Sequence, residues 1–150
     1  MNYRIVDIGK LPIKITNFAD TRNSILDTLE DGEYVLWKSE DEELSKMLTD
    51  YLDLLIPAYP YYAIRRINLL NGKYWEAGNP DYSPHLVSNK VRYYGAIHEQ
   101  VRPRKPYAKI DFPIIHNHPL TWKYRSGWKH EGAYLRPVLA VKKAYQIIKG

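Results

Sequence analysis

The chain of 150 residues contains no cysteine. That absence excludes disulfides, thiolate metal sites and a cysteine nucleophile, and it is in keeping with a reducing compartment. No apolar run reaches the roughly 18 residues of a membrane-spanning helix. The opening "MNYRIVDIGK" lacks the apolar core of a signal peptide, so the expected location is the cytoplasm. There are no internal repeats and no low-complexity linker, and no motif of a nucleic-acid-binding module is present.

What is there is the composition of a globular domain, 45% hydrophobic and 26% charged. The length suits one domain, residues 1–150, with a core of its own. The charge is unevenly placed. Residues 1–57 carry 6 Lys/Arg and 12 Asp/Glu, whereas residues 58–150 carry 16 and 5, together with 11 of the 14 tyrosines. A basic, tyrosine-rich second part suits an anionic partner such as a phosphorylated donor, a membrane surface or nucleic acid; a solvated basic face accounts for the charge equally well.

Hydrophobic patterning divides the chain in the same place. "YRIVDI" alternates as a strand, and "IKI" after Pro12 is a second candidate. "ADTRNSILDTLEDG" is expected to be a helix with Asp20 as its N-cap, followed by the short buried strand "EYVLWK". From Glu42 the stripe Leu44, Met47, Leu48, Tyr51, Leu52, Leu55 and Ile56 predicts a longer helix that Pro57 stops. Beyond Pro60 the expectation is strands: "YYAIRRINLL" closed by an Asn-Gly hairpin turn, then "PHLVSN", "VRYYGAIHE" and "IDFPIIH". From Pro119 onwards the pattern becomes helical and ends on "PVLAVKKAYQIIKG". The fold class is therefore α/β, a mixed sheet flanked by helices.

The buried strand at residues 34–38 runs into Glu40, Asp41, Glu42 and Glu43. In a right-handed β–α–β unit the start of the preceding helix lies at the same rim as the end of that strand. Asp20, Arg22 and Asn23 are thus expected beside Ser39, Glu40, Asp41 and Glu42, at the rim where open α/β sheets bind ligands. Carboxylates there offer oxygen ligands to magnesium or manganese, which can bridge them to a diphosphate. The same residues also suit the first turn of a helix, with Ser39 as N-cap and Glu42 closing a capping box. Arg22 can hold Asp41 in place, contact phosphate or make a surface ion pair. Trp75, Trp122 and Trp128 suit either sugar stacking or the core. The basic loop "VRPRKPYAK" suits either phosphate cover or plain solvation.

"NFADTRNSILDTLEDGEYVLWKSEDEEL" resembles the central stretch of family 2 glycosyltransferases of the GT-A fold, with their pattern "fs.aRN.al..a.gdwvL.lDaDE.l". "YYAIRRINLLNGKYWEAGNPDYSPHLVSNKVRYYGAIHEQV" resembles the family's later "R.n...g........pDwq.RLf......y.g.vHE.v", and "IIHNHPLTWKYRSGWKHEGAYL" its ending. The likeness spans residues 16–136. It implies a minimal GT-A-like fold, shortened before the Arg-Asn helix. It also implies a metal-dependent, inverting sugar transfer from a nucleotide-sugar donor to a glycan, lipid or protein hydroxyl, with manganese or magnesium as cofactor. By that resemblance Asp41 meets the metal, Ser39 stands where the family has its first aspartate, His116 is a metal ligand or phosphate contact, and Asp81 is the catalytic base.

Within the chemistry that the resemblance implies, Glu99 competes as the base, since inversion needs one carboxylate to take the acceptor's proton. His98 alternates with it at a strand end, and His118 shares a face with His116. Arg22, Asn23, Ser39 and His98 are the candidate donor contacts. A non-catalytic remnant that binds a nucleotide, glycan or protein is the alternative. Peripheral membrane contact and a homodimer through a free sheet edge are further expectations, while nucleic acid is not the expected partner.

Overall fold

The computed structural model describes residues 1–95 and 99–118. Strand β1 (Asn2–Val6) leads through a short 3-10 turn to helix α1 (Phe18–Leu26), strand β2 (Glu33–Trp37), strand β3 (Glu42–Leu44) and helix α2 (Lys46–Leu54). Strands β4 (Tyr61–Leu70), β5 (Lys73–Tyr74), β6 (Asp81–Ser88), β7 (Arg92–Tyr94), β8 (Gln100–Arg102) and β9 (Ala108–His118) follow. The main sheet has the order β1-β2-β6-β4-β9-β3, with β5 paired to β4, while β7 and β8 form a separate ribbon. Pairs β1–β2 and β4–β9 are parallel and the rest antiparallel. The fold is therefore α/β with a mixed sheet and few helices. None of the helices among the described residues is long and apolar enough to cross a membrane.

The period of two along β2 sorts the core onto the two sheet faces. Val35 and Trp37 face Ala19 and Leu26 of α1, together with Val87, Tyr93 of β7 and Val101 of β8. Tyr34 and Leu36 face Leu48 and Leu52 of α2, together with Ile64, Leu86, Ile110 and Ile114. Val35, Leu36, Leu48, Leu52, Ile64 and Leu86 are fully buried, each stabilising the fold by about 1.5–3 kcal/mol relative to exposure. Gly32, at φ +83°, makes the turn into β2, and Asn71-Gly72, both with positive φ, make the two-residue turn from β4 to β5.

Several expectations need correction. Residues 13–15 form no strand: Ile13 is 60% exposed and the segment pairs with nothing in the sheet. The cap of α1 is Asn17, whose side chain accepts the Asp20 N–H at 3.1 Å, so Asp20 sits inside the first turn. The helix expected from Glu42 begins only at Lys46, capped by Ser45. Residues 42–44 instead pair antiparallel with Ile114–His116 of β9. That pairing sends Glu42 inward and Glu43 outward. Ser39 is accordingly no helix cap. The helix expected from Pro119, and with it His98, Trp122 and Trp128, lie outside the described residues, as does the side chain of His118.

Candidate functional site

The rim at the carboxyl end of β2 collects most of the buried polar side chains. Among the described residues, Glu42, Asn68, His85, Ser88 and His116 are buried and polar, and four of them, all but Ser88, belong to one network. Burying such groups is costly unless each is bonded. Here the bonds close a ring. Ser39 Oγ donates to Asp41 Oδ1 at 2.7 Å, and Asp41 Oδ2 lies 3.0 Å from His116 Nε2. His116 Nδ1 lies 2.9 Å from Asn68 Oδ1, and Asn68 Nδ2 donates to Asp81 Oδ2 at 3.1 Å. Arg66 donates to that same Asp81 oxygen from Nε at 3.0 Å, and its Nη2 forms an ion pair with it at 2.9 Å. Its other terminal nitrogen reaches Glu42 Oε2 at 2.9 Å, and Glu42 Oε1 accepts the Ser39 N–H at 2.9 Å.

Each element contributes through its register. Arg66 and Asn68 are two apart on β4 and so share a face. Their pairing with β6 sets Arg66 opposite Asp81, and their pairing with β9 sets Asn68 opposite His116. Strand β3 carries Glu42 opposite His116, and the Asn117 N–H donates to the Asp41 carbonyl at 3.2 Å. His85 of β6 completes the group, with Nε2 at 3.2 Å from Glu42 Oε2 and Nδ1 at 3.0 Å from Ser83 Oγ.

Electrostatics follow the bonding. Burial pushes the Glu42 carboxyl up, but His85, the Ser39 N–H and Arg66 outweigh it and hold the group far below the usual carboxylate range. Burial likewise raises Asp41, and the Ser39 hydroxyl and His116 more than reverse that, leaving it below its ordinary value.

His116 carries the most specific information. The Asn68 Nδ2 group faces two acceptors, Gly78 O at 2.8 Å and Asp81 Oδ2, so its amide oxygen is the atom turned to His116 Nδ1. Nδ1 therefore bears a proton. The opposite nitrogen, Nε2, faces the Asp41 carboxylate. The 3.0 Å between them is an ordinary hydrogen-bond distance. Among the described residues there is no group of three or more His, Asp or Glu that could hold a metal ion. A two-residue site suits ions of the magnesium type, which take one or two carboxylates and complete their shell with water and phosphate. Asp41 and His116 are the residues that would hold such an ion. Asp41, at 47% side-chain exposure, is the member of the pair open to solvent.

Around this ring lie two adjoining clefts. One, of about 200 Å³, is lined by Arg22, Trp37, Ser39, Glu42, Arg66 and His85, among others. The second, of about 420 Å³, is lined by Asp7, Gly9, Lys10, Ser39, Glu40 and Asp41. Arg22 reaches the first cleft from α1, its guanidinium 4.6 Å from the Trp37 ring centroid, and it pairs with Glu99 at 3.3 Å rather than with Asp41. Asn23 turns away to the ribbon, where it accepts the Tyr93 N–H at 2.8 Å and donates to the Tyr93 carbonyl at 2.9 Å. It therefore positions β7 rather than facing either cleft. Ser39 borders both clefts.

Arg66, Asn68, His85 and Asp7 were not singled out from the sequence. The available signal was polar residues at period two inside the otherwise apolar strand "YYAIRRINLL". No family model matches the chain, and no curated protein matches it.

Proposed function

We propose that the chain is a metal-dependent, inverting sugar transferase of the GT-A type, related to family 2 glycosyltransferases and using a nucleotide-sugar donor. The observation that carries this reading is the Asp41–His116 pair at the rim, with its donor atoms 3.0 Å apart beside two clefts. Asp41 and His116 would hold manganese or magnesium, and that ion would supply positive charge for the leaving diphosphate. Ser39 keeps Asp41 oriented. Arg22 and Arg66 add fixed positive charge to the first cleft, where a diphosphate would otherwise meet Glu42.

In the transfer the acceptor oxygen bonds to the anomeric carbon while the bond from that carbon to the phosphate oxygen breaks. The hydroxyl proton passes to a carboxylate, either Asp81 or Glu99. Asp81 Oδ2 is engaged by Arg66 and Asn68, which leaves Oδ1 as the oxygen to take the proton. Removing the base lowers turnover and leaves donor binding nearly intact. Nucleoside diphosphate release from a panel of nucleotide sugars, with manganese, is the assay. Asp81→Asn is expected to lower the rate by about a hundredfold or more, the size of a general-base contribution. If Glu99→Gln does so and Asp81→Asn does not, the roles are exchanged.

The ion pairs that hold both carboxylates, Arg66 on Asp81 and Arg22 on Glu99, favour a second reading: a binding module that takes up a nucleotide or glycan without turnover. Binding with no diphosphate release from any donor establishes that reading instead.

A further inference from the structure

A third and larger cleft, of about 590 Å³, lies on the sheet face that α1 covers, beyond the helix. It is lined by Tyr61, Ala63, Tyr82, Pro84, Arg104, Lys105 and Tyr107. The sugar-transfer reading leaves it without a role. Its size is that of a small-molecule site.

Its walls are specific. Tyr61 and Tyr107 stack with centroids 5.1 Å apart and planes 9° from parallel. Tyr82 faces them from β6, with the Lys109 ammonium 4.7 Å from its ring centroid. Arg65 stands opposite Tyr82 in the β4–β6 register. The loop residue Arg104 is tied down through its backbone, since the Tyr61 hydroxyl donates to the Arg104 carbonyl at 2.6 Å. Among the described residues lining the cleft none is acidic. Asp111, behind Tyr82, accepts that residue's hydroxyl.

Tyrosine rings offer flat apolar faces that match the C–H faces of sugars, and Arg and Lys supply charge-assisted bonds to an anion. The cleft also backs onto the first one. The Tyr93 hydroxyl accepts Trp37 Nε1 at 2.8 Å and donates to the Pro84 carbonyl at 3.4 Å, so one tyrosine joins a wall of each.

We infer that this cleft binds an anionic saccharide, one carrying a carboxylate or a phosphate ester. Its test does not depend on the transfer proposed above. Tri-galacturonate, glucose 6-phosphate, maltotriose and inorganic phosphate are titrated into the full chain without metal or nucleotide, followed by NMR of the tyrosine and backbone signals.

The expected result is binding of tri-galacturonate or glucose 6-phosphate, whichever anion the cleft takes, with shifts at Tyr61, Tyr82 and Tyr107 and at least tenfold weaker binding of maltotriose. The double variant Arg104→Gln/Lys105→Gln is expected to weaken that binding about tenfold or more, since one charge-assisted bond is worth that much. Both side chains are exposed and the loop is held by a carbonyl, so this variant keeps the fold. Tyr107→Ala is expected to weaken it also, and Asp41→Asn to leave it unchanged. Equal binding of maltotriose, inorganic phosphate binding as tightly as the sugars, indifference to the double variant, or a single-stranded oligonucleotide displacing the saccharide at lower concentration would each overturn the assignment. None of these outcomes bears on metal-dependent donor binding, which is measured separately.

Discussion

At Glu42 a carboxylate only 5% exposed accepts bonds from Arg66, from the Ser39 backbone and, at its shared oxygen, from His85. A buried charge left without its partner costs more than the pair contributes, about 3–5 kcal/mol for removal of one member. Arg66→Ala is therefore expected to lower the unfolding free energy by about that amount in urea titration. A loss under about 1 kcal/mol would mean that water replaces the guanidinium and that the ring does not hold the rim together.

The same carboxylate sets an acid limit. Its value in the fold lies below the ordinary 4.5, so the unfolded chain binds the proton more readily. The stability it contributes is complete above the unfolded value and is lost as the pH falls from there through the lowered value in the fold. Asp41, also lowered, acts in the same direction. Glu42→Gln is expected to flatten the dependence of stability on pH below about 5, measured by denaturant titration at successive pH values. A slope equal to that of the wild type would contradict the assignment.

Among the elements, the β7–β8 ribbon is joined to α1 by the side chain of Asn23, which replaces a strand neighbour for the Tyr93 backbone. Asn23→Ala leaves two partly buried backbone groups unpaired, at about 1–3 kcal/mol each. Hydrogen exchange is expected to quicken in residues 92–94 and 100–102 while β2, β4 and β6 stay protected; uniform quickening would show instead that the ribbon and the sheet unfold together.

Elements that owe their form to neighbours in sequence were legible. The alternation of β2, the Asn-Gly turn after β4 and the nearness of Arg22 to Ser39 all follow from local pattern and β–α–β handedness. Strand β3 was not, because its partner β9 lies some seventy residues later and three residues carry no period of their own. The stripe from Leu44 to Ile56 then drew the helix start forward to Glu42. The ring was half legible. Asp41 and His116 stood out by resemblance, whereas Arg66, Asn68 and His85 acquire meaning only once register sets them opposite Asp81, His116 and Glu42.

At the scale of the whole molecule, the mixed sheet brings residues from β3, β4, β6 and β9 to one rim and leaves clefts on that rim and on one face. The acidic first part thereby supplies Asp41 and Glu42, and the basic second part supplies Arg66 and the cations of the larger cleft. At the rim, acidic residues of the first part meet Arg66 of the second. The central claim is that Asp41 and His116 hold a divalent ion that carries a nucleoside diphosphate. Calorimetric titration of manganese, in the presence of UDP, GDP or ADP in turn, tests it most directly. The account predicts manganese-dependent binding of at least one diphosphate by the wild type, weakened about tenfold or more in Asp41→Asn, where a hard ion loses its anionic ligand. Equal affinity in wild type and variant, or diphosphate binding indifferent to manganese, would contradict it.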